Sequence, residues 1–183
     1  MMGMKFVGLV FVLLVQAAKP APPADLPAGP GVFCRQDASP WVRLEPAVIT
    51  DTQSKGMDLF LQTGGFYNPD LTLVYKGPRA RLQLSALRPV FFVRGAGSAR
   101  DAAIVALTRR KDTRTLQTSA AAVTVDNKVG ISRKHLRRTA LTVYSDDSFT
   151  VSPDEDLKPG EYVLLLGLSN AGFDFGIRPE KGK

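Results

Sequence analysis

Hydrophobic and polar residues alternate along several stretches of the chain, and this pattern predicts half-buried β-strands. Every second residue is apolar across 79–85, and the alternation recurs over 71–75, 141–143 and 149–151. A period of two places successive side chains on opposite faces of a strand, as in an antiparallel sheet with one buried face. We therefore expect strands at these four places.

Two short runs are apolar without interruption, at 90–93 and 162–166. Runs of this length are typical of central strands that are covered on both faces. Helical periodicity is weak throughout, and the best helical candidates are 99–107 and 132–138, each two turns at most.

Residues that favour turns separate the predicted strands at short intervals. They lie at 64–65, 68–70, 76–78, 126–128, 146–147 and 158–160. Short strands with turn residues every 8–12 positions are typical of a sandwich or barrel. The pattern predicts one all-β domain over residues 40–178, an antiparallel β-sandwich of immunoglobulin-like or similar type.

The N-terminal segment has the features of an export signal. Lys5 precedes an uncharged apolar run over 6–15, and small residues at 15–17 fit cleavage by signal peptidase. We expect a cleaved signal peptide over 1–17 and a periplasmic or extracellular protein, with an uncleaved anchor as the poorer alternative. A Pro-rich linker is expected over 18–39 and a short tail over 179–183.

Length and composition narrow the classes of protein further. The chain has 183 residues, of which 44% are hydrophobic, enough for one domain with a real core. A single Cys and a single His exclude an intrachain disulfide framework and the usual structural zinc sites. We expect Cys34 to be a buried apolar residue, with an intermolecular disulfide or a reactive thiol as alternatives.

The strongest anomaly is basic charge, with a formal net charge of +7. Two clusters supply the candidate anion-binding residues, which are Arg109, Arg110, Lys111, Arg114, Arg133, Lys134, Arg137 and Arg138. Arginine binds phosphate and sulfate through two parallel hydrogen bonds. For an exported protein this favours anionic glycans, lipopolysaccharide or lipid headgroups over nucleic acid. The alternative is a solvated strand face whose charges protect a sheet edge from aggregation.

Catalytic residues are hard to find in the sequence. His135 lies among cations, and Ser132 and Ser145 lack the flanking glycines of a nucleophile elbow. The carboxylates at 146–147 and 154–156 lack the spacing of an EF-hand calcium loop, so solvated turns are the simpler interpretation. Trp41, Phe66 and Tyr67 are expected to form part of the core, with a platform for a carbohydrate or peptide as the alternative.

One set of motifs resembles a recurring pattern in uncharacterised secreted bacterial β-domain proteins. The motifs are Gly77-Pro78-Arg79-Ala80, LRPVFFVR at 87–94, IVALTRRKDTR at 104–114, VSP at 151–153 and LKPGEY at 157–162. The resemblance covers about residues 76–177. It implies an exported bacterial β-domain and brings no catalytic residues or cofactor.

Three functions stay open on the sequence. The first is a monomeric, non-catalytic β-sandwich module with a binding or envelope structural role and no cofactor. The second is a polyanion or membrane-surface binder that uses the two basic clusters. The third is a hydrolase that uses His135 or a pair of carboxylates. A dimer formed by strand pairing is the alternative to the monomer.

Overall fold

The computed structural model describes residues 19–55, 61–62, 70–119, 131–167 and 172–178. These residues form thirteen strands and a 3-10 turn at Ala99–Asp101. The strands are β1 Gly31–Arg35, β2 Val42–Arg43, β3 Ile49–Lys55, β4 Asp70–Lys76, β5 Gln83–Leu84, β6 Val90–Arg94, β7 Ala102–Arg109, β8 Thr113–Ser119, β9 Leu136–Arg137, β10 Thr139–Val143, β11 Ser148–Pro153, β12 Gly160–Leu166 and β13 Phe173–Ile177.

The strands make two open sheets. The first sheet has five antiparallel strands in the order β10-β11-β6-β1-β2. The second has the order β3-β4-β8-β7-β12-β13-β5, with β9 also paired to β7. Strands β5 and β13 run parallel, so the second sheet is mixed. The fold is therefore all-β and sandwich-like, as the alternation in the sequence predicts.

A first core lies between the two sheets. Phe91 and Phe149 of the first sheet pack with Ile104, Leu164 and Phe175 of the second, and all five are at most 1% exposed. The Phe91 and Phe175 ring centroids are 4.8 Å apart. Burial of such large side chains is the main source of stability in a fold of this kind.

A second core lies on the opposite face of β7 and β12. There Val105 and Val163 pack with Tyr75 of β4 and Leu116 of β8. Strand β8 pairs with β7 only at its beginning, whereas it pairs with β4 over its whole length. Strands β3, β4 and β8 can therefore cover the second face of β7 and β12.

Most predicted strands are confirmed, namely those at 71–75, 90–93, 141–143, 149–151 and 162–166. The strand predicted over 79–85 is wrong except at Gln83–Leu84, because residues 77–82 form bends and irregular chain. Both helical candidates are also wrong. Residues 99–107 form the 3-10 turn and most of β7, and residues 132–138 form a turn followed by β9.

The folded part of the chain begins before residue 40, so the linker expected over 18–39 is too long. Strand β1 lies between β6 and β2 in the first sheet, with Val32 and Cys34 buried. This confirms that Cys34 is a buried core residue. The predicted signal peptide, the tail and the turns at 64–65, 68–69 and 126–128 lie outside the described residues.

Candidate functional site

Arg114 of β8 is buried, and its guanidinium group fixes the chain that leaves β4. It is only 2% exposed. Its Nη2 donates to the Lys76 carbonyl at 2.7 Å, and its Nε donates to the Gly77 carbonyl at 3.1 Å. Nη1 donates to the Asp174 carboxylate of β13. Each nitrogen of this cation thus has an acceptor, which burial of a charge requires.

Glu161 of β12 holds the far side of the same loop, residues 77–82, which we call the rim loop. Its carboxylate accepts from the Ala80 amide at 2.6 Å and from the Gln83 side-chain amide at 3.3 Å. It also lies 3.7 Å from Arg114 Nη1. The buried ion cluster of Arg114, Asp174 and Glu161 therefore fixes the rim loop from both ends.

Tyr75 borders this ion cluster. The Arg114 guanidinium carbon lies 6.0 Å from the centre of its ring. The Tyr75 hydroxyl is buried without a hydrogen-bond partner. The pKa of Tyr75 is raised to about 12, first by desolvation on burial and then by the Asp174 carboxylate, while Arg114 acts in the opposite direction. The tyrosine therefore stays neutral and acts as part of the core.

A pocket of about 800 Å³ opens beside the ion cluster, between the edge of β2, the segment 44–48 and the rim loop. We call it the basic pocket. Its lining includes the cations Arg43, Lys76, Arg79 and Arg81, together with Arg114. Glu45 and Asp174 are the acidic residues of the lining. Pockets of this volume accommodate small-molecule ligands.

Four of the five cations in the pocket are available to a ligand. Arg43, Lys76, Arg79 and Arg81 are exposed, and none forms an ion pair within the described part of the chain. Arg114 is engaged by Asp174. Because the four free cations face one concave surface, their fields add and the pocket attracts anions.

The first predicted basic cluster is divided by the fold. Arg109, Arg110 and Lys111 are exposed at the β7–β8 hairpin, whereas Arg114 is buried. Arg114 belongs to the inward face of β8, two positions before the buried Leu116. Its assignment to a surface cluster is therefore wrong, and its role is to hold the rim loop.

The second predicted cluster surrounds β9. Arg133 and Lys134 are exposed in the preceding turn. Arg137 is half-buried: it donates to the Lys134 and Leu136 carbonyls and lies 5.9 Å from the centre of the Tyr162 ring. Arg138 is exposed and lies 3.9 Å from the Asp154 carboxylate. Of the four cations in this cluster, Arg133 and Lys134 are thus exposed without an ion pair within the described residues.

One residue of each predicted cluster, Arg137 and Arg109, projects from a different face of the same sheet. Arg137 pairs with Ile104 of β7, and Arg109 lies five positions further along the same strand. Five residues of strand span about 17 Å, and an odd separation reverses the face. Arg137 and Arg109 therefore do not lie on one shared face.

His135 is remote from the basic pocket and lies beside β7, where its carbonyl accepts from the Ala106 amide at 2.8 Å. Its pKa is lowered from 6.5, first by desolvation and then by the Lys134 and Arg137 cations. The hydrogen bond between His135 and Ser132 is between backbone groups: the His135 amide donates to the Ser132 carbonyl at 2.9 Å. No contact described here gives His135 a nucleophile to activate.

The acidic turns are mostly engaged by basic side chains. Asp146 lies 2.5 Å from Lys19, and Asp156 lies 2.6 Å from Arg88. Within the described ranges, no group of three or more His, Cys, Asp or Glu side chains is placed to hold a metal ion.

Trp41 packs against Phe92 at 6.0 Å between ring centroids, under the Arg35 guanidinium. Phe66 and Tyr67 lie outside the described residues.

Sequence reasoning missed the residues that line the basic pocket. They come from β2, the end of β4 and the rim loop, so Arg43 is more than thirty positions from the others. The sequence signal that could have identified the basic pocket is the pair Arg79 and Arg81 after the Gly77-Pro78 turn, because no acidic residue lies near them in the sequence to neutralise their charge.

Comparisons with models of protein families, with curated protein sequences and with solved structures find no match. No helix within the described residues is both long and apolar enough to cross a bilayer.

Proposed function

We propose that this chain is an exported, non-catalytic β-sandwich module that binds an anionic ligand in the basic pocket. The observation that carries the proposal is the set of four exposed cations, Arg43, Lys76, Arg79 and Arg81, which line one pocket without ion-pair partners among the described residues. An acidic ligand would supply the missing partners.

The rigidity of the rim loop supports a binding role. Arg114 fixes the carbonyls at the start of the loop and Glu161 fixes the Ala80 amide near its end. Arg79 and Arg81 are therefore carried on backbone that is ordered before a ligand arrives. A site ordered in advance loses less conformational entropy on binding.

The remaining parts of the proposal rest on the sequence. The apolar segment 6–15 with its small-residue exit supports export, and so does the resemblance to secreted bacterial β-domains. The Pro159-Gly160 turn before the apolar strand β12 supports the immunoglobulin-like class. The absence of a catalytic role is proposed because the Glu161 and Asp174 carboxylates already form ion pairs with Arg114.

Charge reversal tests the proposed site. Inorganic phosphate, titrated at low ionic strength and followed by backbone amide chemical shifts, is expected to shift the signals of the rim loop. In the variant Arg79→Glu/Arg81→Glu, we expect the phosphate Kd to rise at least about tenfold. The matched control is Arg109→Glu/Arg110→Glu on the β7–β8 hairpin, which leaves the Kd unchanged. Equal phosphate binding by the wild type and the rim-loop variant would overturn the proposal.

A second candidate function is polyanion binding on the open surface. It is favoured by Arg109, Arg110, Lys111, Arg133 and Lys134, which are exposed and form no ion pair within the described residues. Lipopolysaccharide, anionic headgroups or an acidic polysaccharide would be the partner. Here retention on a sulfated resin falls with salt, and Arg133→Glu/Lys134→Glu lowers it more than Arg79→Glu/Arg81→Glu. The opposite order would favour the basic pocket.

A further inference from the structure

Two exposed apolar side chains line the basic pocket. Of the five large hydrophobic residues that are exposed within the described ranges, Val42 and Val48 both line it. Val42 is 51% exposed and Val48 is 57% exposed. Leu44, Ala47 and Leu82 add further apolar surface to the same lining.

Most of the apolar residues and most of the free cations come from different segments of the lining, and Leu82 of the rim loop is the apolar exception. Val42, Leu44, Ala47 and Val48 belong to β2 and the segment that follows it, whereas Lys76, Arg79 and Arg81 belong to the end of β4 and the rim loop. Arg43 is the cation on the apolar side. The pocket thus has a mostly apolar wall and a mostly basic wall, and the two meet where the Lys76 amide donates to the Val48 carbonyl at 2.9 Å.

A small polar anion uses only the basic wall. Phosphate would neutralise the cations but leave Val42 and Val48 in water, and it would fill little of a pocket of about 800 Å³. A hydrocarbon body attached to the acid would cover these valines, and removal of apolar surface from water is favourable in proportion to area. Only a ligand with an acidic group and an apolar body would both pair with the cations and cover the exposed valines.

From this geometry we infer that the ligand is a monomeric amphiphilic anion, a carboxylate or phosphate on a hydrocarbon chain; the inference rests on the proposed function of the basic pocket. The acidic group binds among Lys76, Arg79 and Arg81. The hydrocarbon lies along Val42 and Val48. This chemistry distinguishes the ligand from sulfated glycans, which lack an extended apolar body.

A chain-length series tests the inference. Acetate, hexanoate and decanoate are titrated at one ionic strength, below the concentration at which decanoate forms micelles. We expect affinity to rise by up to about fourfold for each methylene that becomes buried. Decanol, which has the chain without the charge, is expected to bind at least about tenfold more weakly than decanoate. Equal affinity for acetate and decanoate would overturn the inference.

Isosteric substitutions of the two exposed valines test where the hydrocarbon chain binds. Val42→Thr and Val48→Thr keep the shape of exposed residues, so folding is not at risk, and each is expected to weaken decanoate binding about threefold or more while phosphate binding stays constant. Leu141→Thr, exposed on β10 and absent from the pocket, is the control and leaves both unchanged. Decanoate binding that is insensitive to both valine changes would contradict the inference.

The two proposals fail in different ways. If phosphate binding depends on Arg79 and Arg81 but chain length has no effect, the anion site stands and the amphiphile inference is wrong. If neither ligand responds to Arg79→Glu/Arg81→Glu, both are wrong. Binding to phosphatidylglycerol vesicles without any binding of free decanoate would identify a membrane surface as the partner and overturn the monomeric ligand.

Discussion

Arg114 shows how this fold stabilises a permanent charge in its interior. Two backbone carbonyls and the Asp174 carboxylate accept from its guanidinium group, and Glu161 lies 3.7 Å away. The two carboxylates are buried or nearly so, and they in turn rely on this cation. Removal of one partner from such a cluster leaves the others charged and without compensation.

The variant Arg114→Met is therefore expected to lower the free energy of unfolding by about 3–5 kcal/mol. Urea denaturation followed by fluorescence of the single tryptophan, Trp41, measures the loss. Arg109→Met is the control, because Arg109 pairs with Arg114 across the hairpin but is exposed. Its effect should stay within about 0.5 kcal/mol. Equal free energies of unfolding for the two variants would show that the buried ion cluster makes no net contribution to stability.

The sequence does not predict the ion cluster of Arg114, Asp174 and Glu161. Arg114 stands among exposed cations in the chain, and only the alternation along β8 identifies it as inward-facing. Its partners Glu161 and Asp174 are 47 and 60 positions away. No local pattern connects residues that are so far apart, because strand pairing brings them together.

Strand β5, which follows the rim loop, and strand β13 pack closely at Gly176. A Cβ atom on Gly176 would lie 2.1 Å from the Gln83 amide nitrogen and 2.6 Å from its amide carbon. Gln83 could not stay where it is, and its hydrogen bonds to Glu161 and to the Ala80 carbonyl would be lost. The glycine is thus required by the close approach of Gln83.

The variant Gly176→Ala should lose about 1–3 kcal/mol of stability, because Gln83 must move and its two side-chain hydrogen bonds are lost. The double variant Gly176→Ala/Gln83→Ala should lose less than the sum of the single changes, because the clash disappears with the glutamine side chain. Gly29→Ala is the control, since nothing lies within 4 Å of a Cβ added there. Thermal unfolding of the four variants measures these differences, and additive losses would contradict the contact.

Among the elements, most strands with an alternating pattern are predicted well, and β12 is also predicted, but β7, which lies between the two cores, is not. Residues 102–107 of β7 are almost continuously buried, since Ile104 belongs to the first core and Val105 to the second. A run without alternation does not distinguish a strand from a helix. The opposite error occurs in the rim loop, where alternation is present but Ala80 bonds to Glu161 rather than to a neighbouring strand.

The single thiol reports on the stability of the whole molecule. Cys34 lies in β1 with its side chain in the first core, and burial raises its pKa from 9.0 to about 12. Since only the unfolded chain ionises this thiol readily, the stability that it contributes is complete below pH 9 and is lost as the pH rises from 9 towards 12.

At pH 8 an aromatic disulfide reagent should modify Cys34 at least about 100-fold more slowly in the native protein than in concentrated urea. The rate should increase with urea in parallel with global unfolding measured by circular dichroism. The variant Cys34→Ala, without a thiol, gives the background. Rapid modification in the absence of urea would show that β1 opens independently of the remaining sheet.

Strands β7 and β12 give alternate side chains to both cores. The two cores are consequently not separate domains. A substitution that destabilises β7 or β12 is expected to disturb both cores at once. We expect heat to melt the protein in a single calorimetric step, and a truncated chain without β3, β4 and β8 to aggregate rather than persist as a smaller fold.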